Sequence, residues 1–92
     1  MNAVTTLYET ILSRKNADPS SSYTARLFLE GEDEIIKKVG EEAVEVILAA
    51  KGQGETRLIE EIADLTYHTL VLMAEKNISP LMVIEELEKR RK

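Results

Sequence analysis

Four carboxylates near the middle of the chain come in two pairs with the same spacing. Glu42 and Glu45 form one pair, three residues apart, and Glu61 and Asp64 form the other. On a helix, residues three apart lie on the same face, so each pair presents two neighbouring carboxylates. Grouped carboxylates repel one another unless a cation holds them together. Mg²⁺ fits best, with Mn²⁺ as the alternative, because both prefer oxygen ligands and keep room for water and substrate phosphate oxygens.

Two other kinds of metal site fit the sequence poorly. The chain has no cysteine and a single histidine, so most of the ligands that zinc favours are missing. A di-iron site in a helical bundle would need glutamate–histidine pairs three residues apart, but the residue three before His68 is Leu65. The acidic pairs therefore indicate a magnesium or manganese site that serves a phosphorylated substrate.

The elements that must position these acids are helices. Apolar residues recur at helical spacing, with no strand-like alternation of useful length, and glycine and proline fall between the periodic segments. This pattern predicts an all-α chain that forms one domain over residues 1–92. The five predicted helices cover residues 4–15, 23–30, 32–51, 55–76 and 80–91.

The third and fourth helices are joined by a three-residue link centred on Gln53. So short a link predicts a long antiparallel helical hairpin. Glu45 and Glu61 are each eight residues from Gln53, and Glu42 and Asp64 are each eleven residues away. Residues equidistant from the turn lie at the same level of a hairpin. The four carboxylates are therefore predicted to form a square, with Glu45 opposite Glu61 and Glu42 opposite Asp64.

Apolar positions also predict which faces of these two helices are buried. The third helix carries an apolar row made of Ile35, Ile36, Val39, Ala43, Val46, Ile47 and Ala50. The fourth helix is predicted to bury Leu58, Ile62, Leu65, Thr69 and Leu72. Helices this apolar in so short a chain need a partner to finish their core, so a helical bundle completed by homo-oligomerisation is expected.

Composition narrows the class of protein further. The 92 residues include 12 basic and 17 acidic ones, a net charge of −5, and four of the basic residues stand together at residues 89–92. An acidic body argues against general nucleic-acid binding, which needs a basic face. No apolar run approaches the ~20 residues of a membrane helix, and the first 15 residues lack the apolar stretch of a signal peptide. With no cysteine, these features favour a cytoplasmic location.

The residues around the acidic pairs resemble a known family. The pair-and-pair motif itself resembles that of the all-α nucleoside triphosphate pyrophosphohydrolases, the MazG-like superfamily. Around these pairs stand four further stretches, which are SYTA at 22–25, GED at 31–33, KKVGEEA at 37–43 and ADLTYH at 63–68. These stretches resemble the phosphoribosyl-ATP pyrophosphohydrolase family more narrowly, and the similarity runs from the first predicted helix to the fifth.

The resemblance implies an activity and an assembly. The reaction would be hydrolysis of phosphoribosyl-ATP to phosphoribosyl-AMP and pyrophosphate, the second step of histidine biosynthesis. It would depend on Mg²⁺, which bridges phosphate oxygens and lowers the pKa of a bound water. The protein would be a homodimer or a higher homo-oligomer, whose core is a helical bundle shared between chains.

Site roles follow from this reaction. The metal ligands would be Glu42, Glu45, Glu61 and Asp64, with Glu42 or Glu45 as the first candidate for the general base. Something must also offset the acidic body where the substrate phosphates bind, and the candidate residues are Arg26, Lys37, Lys38 and Lys51. His68, beside the acidic row, is interpreted as a hydrogen-bonded structural residue.

Two other functions stay open from the sequence. The first is a house-cleaning pyrophosphohydrolase of the same fold, which would act on free or modified nucleoside triphosphates. The second is a non-enzymatic helical dimerisation module whose acids form a solvated face. The module would gain no stability from Mg²⁺, whereas either enzyme would.

Overall fold

The structure is a computed structural model that describes residues 2–91, and over these residues it is all-helical, with no strand. The five predicted helices are present, and their bounds agree with the prediction to within two residues. The all-α class is therefore confirmed. The helices are α1 (Ala3–Ser13), α2 (Tyr23–Glu30), α3 (Glu32–Gly52), α4 (Glu55–Glu75) and α5 (Pro80–Lys89).

Short polar residues and glycines set where the helices begin and end. The Asn2 side chain accepts a hydrogen bond from the Thr5 N–H at 2.9 Å, which caps the start of α1. Ser22 caps α2 in the same way, accepting from the Ala25 N–H at 3.1 Å. Gly31 separates α2 from α3 with φ of 104°, a conformation that a side chain would disfavour.

The core lies where α1 and α2 pack against the first turn of α3 and the last turns of α4. Its buried members are Tyr8, Ile11, Leu27, Ile35, Leu70, Val71 and Ala74. The Tyr8 hydroxyl donates to the Ile78 carbonyl at 2.7 Å, so its polar atom is satisfied at the edge of this core. The acidic pairs lie on the part of α3 and α4 outside this core.

The contact between α3 and α4 is by far the most extensive between any two helices. Near the core, Lys76, which follows α4, forms an ion pair with Glu32, the first residue of α3, at 2.9 Å. At the other end, only residues 53–54 separate the two helices. This long contact brings the acids of α3 close to those of α4.

The prediction of which face of α4 is buried is wrong for the single chain. None of its five predicted residues is fully buried, and Ile62 is 46% exposed. The buried residues of α4 are instead Glu61, His68, Leu70, Val71 and Ala74. Apolar residues lie on more than one side of this helix, so periodicity alone does not determine which side meets α3.

The row predicted for α3 is likewise only partly buried. Ile35 is buried in the core, whereas Ile36 and Ile47 are exposed. Large apolar side chains of α3, α4 and α5 therefore line the outside of the single chain. They are Ile36, Val44, Ile47, Leu48, Ile59, Ile62, Leu81, Met82, Val83, Ile84 and Leu87. Within the described part of the chain, no helix combines the length and apolar character needed to cross a membrane.

Candidate functional site

Three of the four predicted metal ligands meet between α3 and α4. Glu42 from α3 and Glu61 and Asp64 from α4 each place one carboxylate oxygen so that all three lie within 4.8 Å of one another. A divalent cation with ligand distances of about 2.0–2.6 Å needs oxygens at such separations. The donor set is all oxygen, as Mg²⁺ and Mn²⁺ prefer. These residues therefore fit the group that the sequence predicts.

The cluster lies in an open pocket of about 630 Å³. Five carboxylates and one guanidinium are among its seven lining residues. They are Glu41, Glu42, Val44, Glu45, Arg57, Glu61 and Asp64. Such an acidic pocket repels a polyphosphate unless a bound cation supplies positive charge.

Glu45, the fourth predicted ligand, lines this pocket but does not belong to the close group of three. It is half-buried, and its charge acts on Glu61 across the pocket. Glu45 therefore adds negative charge to the pocket from outside the close group of three.

Glu61 is the most unusual acid of the site because only 2% of its surface is exposed. Burial raises the pKa of its carboxyl group, the nearby Arg57 charge lowers it, and the hydrogen bond and charge of Asp64 and the charge of Glu45 raise it further. The net direction is upward. A buried carboxylate among other carboxylates takes up a proton or a cation more readily than an exposed one.

Arg57 is the site residue that the sequence analysis missed. Its Nη2 lies 2.6 Å from Glu61 Oε2, and its Nη1 lies 3.2 Å from Glu60 Oε1. The signal was present in the sequence, since Arg57 precedes Glu61 by four residues and such pairs interact on a helix. Half of the Arg57 side chain is exposed, so its guanidinium is also available to a phosphate.

The four predicted phosphate-binding residues are not brought together, and none of them lines the acidic pocket. Lys38 is half-buried and contacts Glu41 at 3.5 Å, one turn from Glu42. Lys37 faces solvent beside Glu34 at 3.9 Å.

The other two predicted residues lie on different helices. Lys51 is exposed in the last turn of α3. Arg26 lies on α2, where its Nη1 donates to the Pro19 carbonyl at 3.1 Å. Of the four, Lys38 is nearest along its helix to a member of the acidic cluster.

A histidine and two tyrosines adjoin the cluster. The buried His68 has its Nδ1 2.8 Å from the Asp64 carbonyl and its Nε2 3.0 Å from the Tyr23 hydroxyl. A carbonyl only accepts hydrogen bonds, so in the neutral ring Nδ1–H donates to Asp64 and Nε2 accepts from Tyr23. Tyr67 contacts both rings and shares a hydrogen bond with Thr24. His68 is thus hydrogen-bonded and links α2 to α4, as its structural interpretation expects.

Carboxylates from two packed helices come together here, with room for a divalent cation between them. An all-helical chain with such a site has the features of a metal-dependent hydrolase of phosphate compounds. The family model for phosphoribosyl-ATP pyrophosphohydrolase matches residues 4–91. The chain belongs to the phosphoribosyl-ATP pyrophosphohydrolase family.

Individual relatives agree with this assignment. A phosphoribosyl-ATP pyrophosphatase of Pelotomaculum thermopropionicum is 54% identical over 85 residues, which cover 92% of this chain and 87% of that protein. One from Trichlorobacter lovleyi is 57% identical over 84 residues, covering 91% and 78%. One from Bacillus cereus strain Q1 is 51% identical over 89 residues, covering 97% and 83%.

Proposed function

We propose that this chain hydrolyses phosphoribosyl-ATP to phosphoribosyl-AMP and pyrophosphate, the second step of histidine biosynthesis. The observation that carries the proposal is the group of Glu42, Glu61 and Asp64, whose oxygens approach within 4.8 Å in a chain of this family. The family match and the names of the relatives supply the substrate. The chemistry of the donor set supplies the type of reaction, which is metal-assisted attack of water on a phosphoanhydride.

Mg²⁺ is the cofactor that we propose, with Mn²⁺ as the alternative. Glu42, Glu61 and Asp64 would hold it, and Glu45 would complete the set from the same pocket. When bound, the ion would neutralise charge on the substrate phosphates and lower the pKa of a water. The raised pKa of Glu61, which has burial as its largest cause, supports a site that favours a positive ligand.

The acidic side chains and the nearby basic side chains would have different roles in the reaction. Glu42 or Glu45 would accept the proton of the attacking water, which splits the α–β linkage of the triphosphate by in-line displacement. Arg57 would turn from Glu61 to a phosphate oxygen once the substrate binds. The cations proposed to hold the remaining phosphates are Arg26, Lys37, Lys38 and Lys51, and Lys38 is the best placed because it lies one turn from Glu42.

We also propose that α3 and α4 form an antiparallel hairpin and that two chains complete one helical bundle, as a homodimer or a higher homo-oligomer. The two-residue link and the Lys76–Glu32 ion pair support the hairpin. The exposed apolar side chains of α3 and α4 support a second copy, because long helices with unburied apolar faces gain stability from a partner. A cytoplasmic location and the lack of a nucleic-acid partner stay predictions from composition.

Release of pyrophosphate tests the proposed reaction directly. Wild-type protein should release pyrophosphate from phosphoribosyl-ATP only with Mg²⁺ or Mn²⁺, and Glu42→Gln should lower the rate by more than about 100-fold, because even outer-shell changes cost 10–100-fold at metal sites. The control is Glu55→Gln, which removes an exposed carboxylate of α4 outside the pocket and should retain activity.

The same samples discriminate the two alternative functions. Efficient hydrolysis of deoxynucleoside triphosphates, with none of phosphoribosyl-ATP, would replace the proposal with a house-cleaning enzyme. Absence of any hydrolysis, together with a melting temperature that Mg²⁺ leaves unchanged, would leave only the dimerisation module. Stabilisation of the wild type but not of Glu42→Gln by Mg²⁺ would support the acidic cluster as the site.

A further inference from the structure

Tyr23 is held in one orientation although much of it faces solvent. Its ring stacks on that of Tyr67, with centroids 6.3 Å apart and planes 28° apart, and meets the edge of His68 at 5.9 Å. Its hydroxyl is hydrogen-bonded to His68, and the Arg26 guanidinium lies over the ring at 5.6 Å. Even so, 41% of the residue is exposed.

The position of Tyr23 relates it to the acidic cluster. Two hydrogen bonds, through the ring of His68, connect its hydroxyl to the backbone of Asp64. Lys38 and Glu42, both on α3, are among the charges that act on the Tyr23 phenol. A nucleotide whose phosphates lie in the acidic pocket would extend its nucleoside away from them, toward one border of that pocket.

We propose that Tyr23 is the contact for the adenine ring of the substrate, and that His68 is a positioning residue that fixes Tyr23 for this contact. The inference rests on the proposed function, since that function places the phosphates at the acidic cluster. An aromatic face and an arginine guanidinium are the two groups on which proteins stack nucleobases, and here they lie together. A rigid platform binds more tightly than a mobile one, because its ordering precedes binding.

Tyr23 is proposed to bind the adenine of the substrate, whereas the acidic cluster binds its phosphates. The test therefore compares a ligand that contains both adenine and phosphate with one that contains phosphate alone. Binding of AMP and of inorganic pyrophosphate, each with Mg²⁺, is measured by calorimetry on the full chain, and KM and kcat are measured with phosphoribosyl-ATP. Tyr23→Leu should weaken AMP and raise KM roughly ten-fold, as expected for loss of one base–aromatic stack. It should leave pyrophosphate affinity within two-fold and kcat nearly unchanged.

Substitutions at His68 test its positioning role. His68→Leu removes the acceptor for the Tyr23 hydroxyl and should weaken AMP binding in the same direction as Tyr23→Leu, whereas His68→Gln supplies a new acceptor oxygen and should restore part of it. Pyrophosphate affinity should again stay constant. A merely structural histidine would change both ligands together or neither, and helix content measured by circular dichroism verifies that each variant is folded.

A matched control and two outcomes complete the test. Leu29→Ala truncates another side chain of α2, which is 73% exposed, and should leave the affinities for AMP and for pyrophosphate unchanged. Unchanged AMP affinity in Tyr23→Leu, or equal losses for AMP and pyrophosphate, would overturn the inference. A wild type that binds AMP through Tyr23 but does not hydrolyse phosphoribosyl-ATP would overturn the proposed function alone.

Discussion

Several electrostatic interactions of the site involve Glu61. It is buried, yet it faces other carboxylates and contacts the guanidinium of Arg57 at 2.6 Å. Burial and the neighbouring acids raise its pKa more than Arg57 lowers it. Without a cation, the folded protein therefore binds a proton at this site more tightly than the unfolded chain does.

The sign of the resulting pH dependence follows from linkage. As pH rises above 4.5, the ordinary pKa of a glutamate, the unfolded chain loses this proton before the folded one does. The contribution of Glu61 to the free energy of unfolding of the metal-free protein should therefore decrease as pH rises from 4.5 toward neutrality. Urea unfolding across this range measures it.

Variants assign this contribution to its residue. Glu61→Gln has no proton to lose, so it should flatten that part of the profile and make the metal-free protein more stable near neutral pH. Glu55→Gln, at the exposed start of the same helix, should leave the profile as in the wild type. An identical profile for Glu61→Gln and the wild type would contradict the raised pKa.

At the scale of the elements, glycine has opposite roles at two positions around α3. Gly31 joins α2 to α3 with φ of 104° and ψ of 178°, a region that residues other than glycine rarely adopt. Gly40 lies inside α3, and a Cβ added there would meet nothing within 4 Å in the single chain. One glycine is needed for its backbone conformation, and the other only weakens its helix.

Alanine at each position should therefore change stability in opposite directions. Gly31→Ala should lower the free energy of unfolding by about 1–3 kcal/mol, because it forces a side chain into a strained region. Gly40→Ala should raise it by up to about 1 kcal/mol through helix propensity. Denaturant unfolding of both variants measures the pair. Destabilisation by Gly40→Ala would instead mean that another chain approaches α3 at this point.

The whole molecule leaves apolar surface on the helices that carry the site. Ile47 on α3 is 60% exposed and Ile59 on α4 is 61% exposed, in a chain whose buried core lies at the other part of these helices. A second copy that covers this surface would also make the α3–α4 region rigid. We therefore expect the assembly and the geometry of the acidic cluster to depend on each other.

A charge placed on this surface tests the assembly. Ile47→Glu should convert the proposed homo-oligomer to a monomer in sedimentation velocity, because the buried interface would contain an unpaired carboxylate. Leu29→Glu introduces the same charge on α2, at a residue that is 73% exposed, and should leave the sedimentation coefficient of the wild type. An Ile47→Glu variant that still sediments as an oligomer would place the interface elsewhere, and a monomeric wild type would remove the assembly.

The sequence by itself determined the five helices, their bounds to within two residues and the spacing within each acid pair. Those features depend on signals that act within a few residues, such as the Ser22 cap, the glycine at 31 and the three-residue spacing of Glu61 and Asp64. The family resemblance also came from local stretches, and the family match agrees with it.

Only the tertiary structure decided which faces of the helices pack against one another. It buried Glu61 and left Ile62 exposed, although the two are neighbours on a helix with apolar residues on several sides. It placed Arg57 in the acidic pocket, and it joined Tyr23 to His68 across 45 residues of sequence. The physical reason is that such contacts depend on how whole helices pack, a free energy summed over many side chains, whereas local patterns record the preferences of one segment at a time.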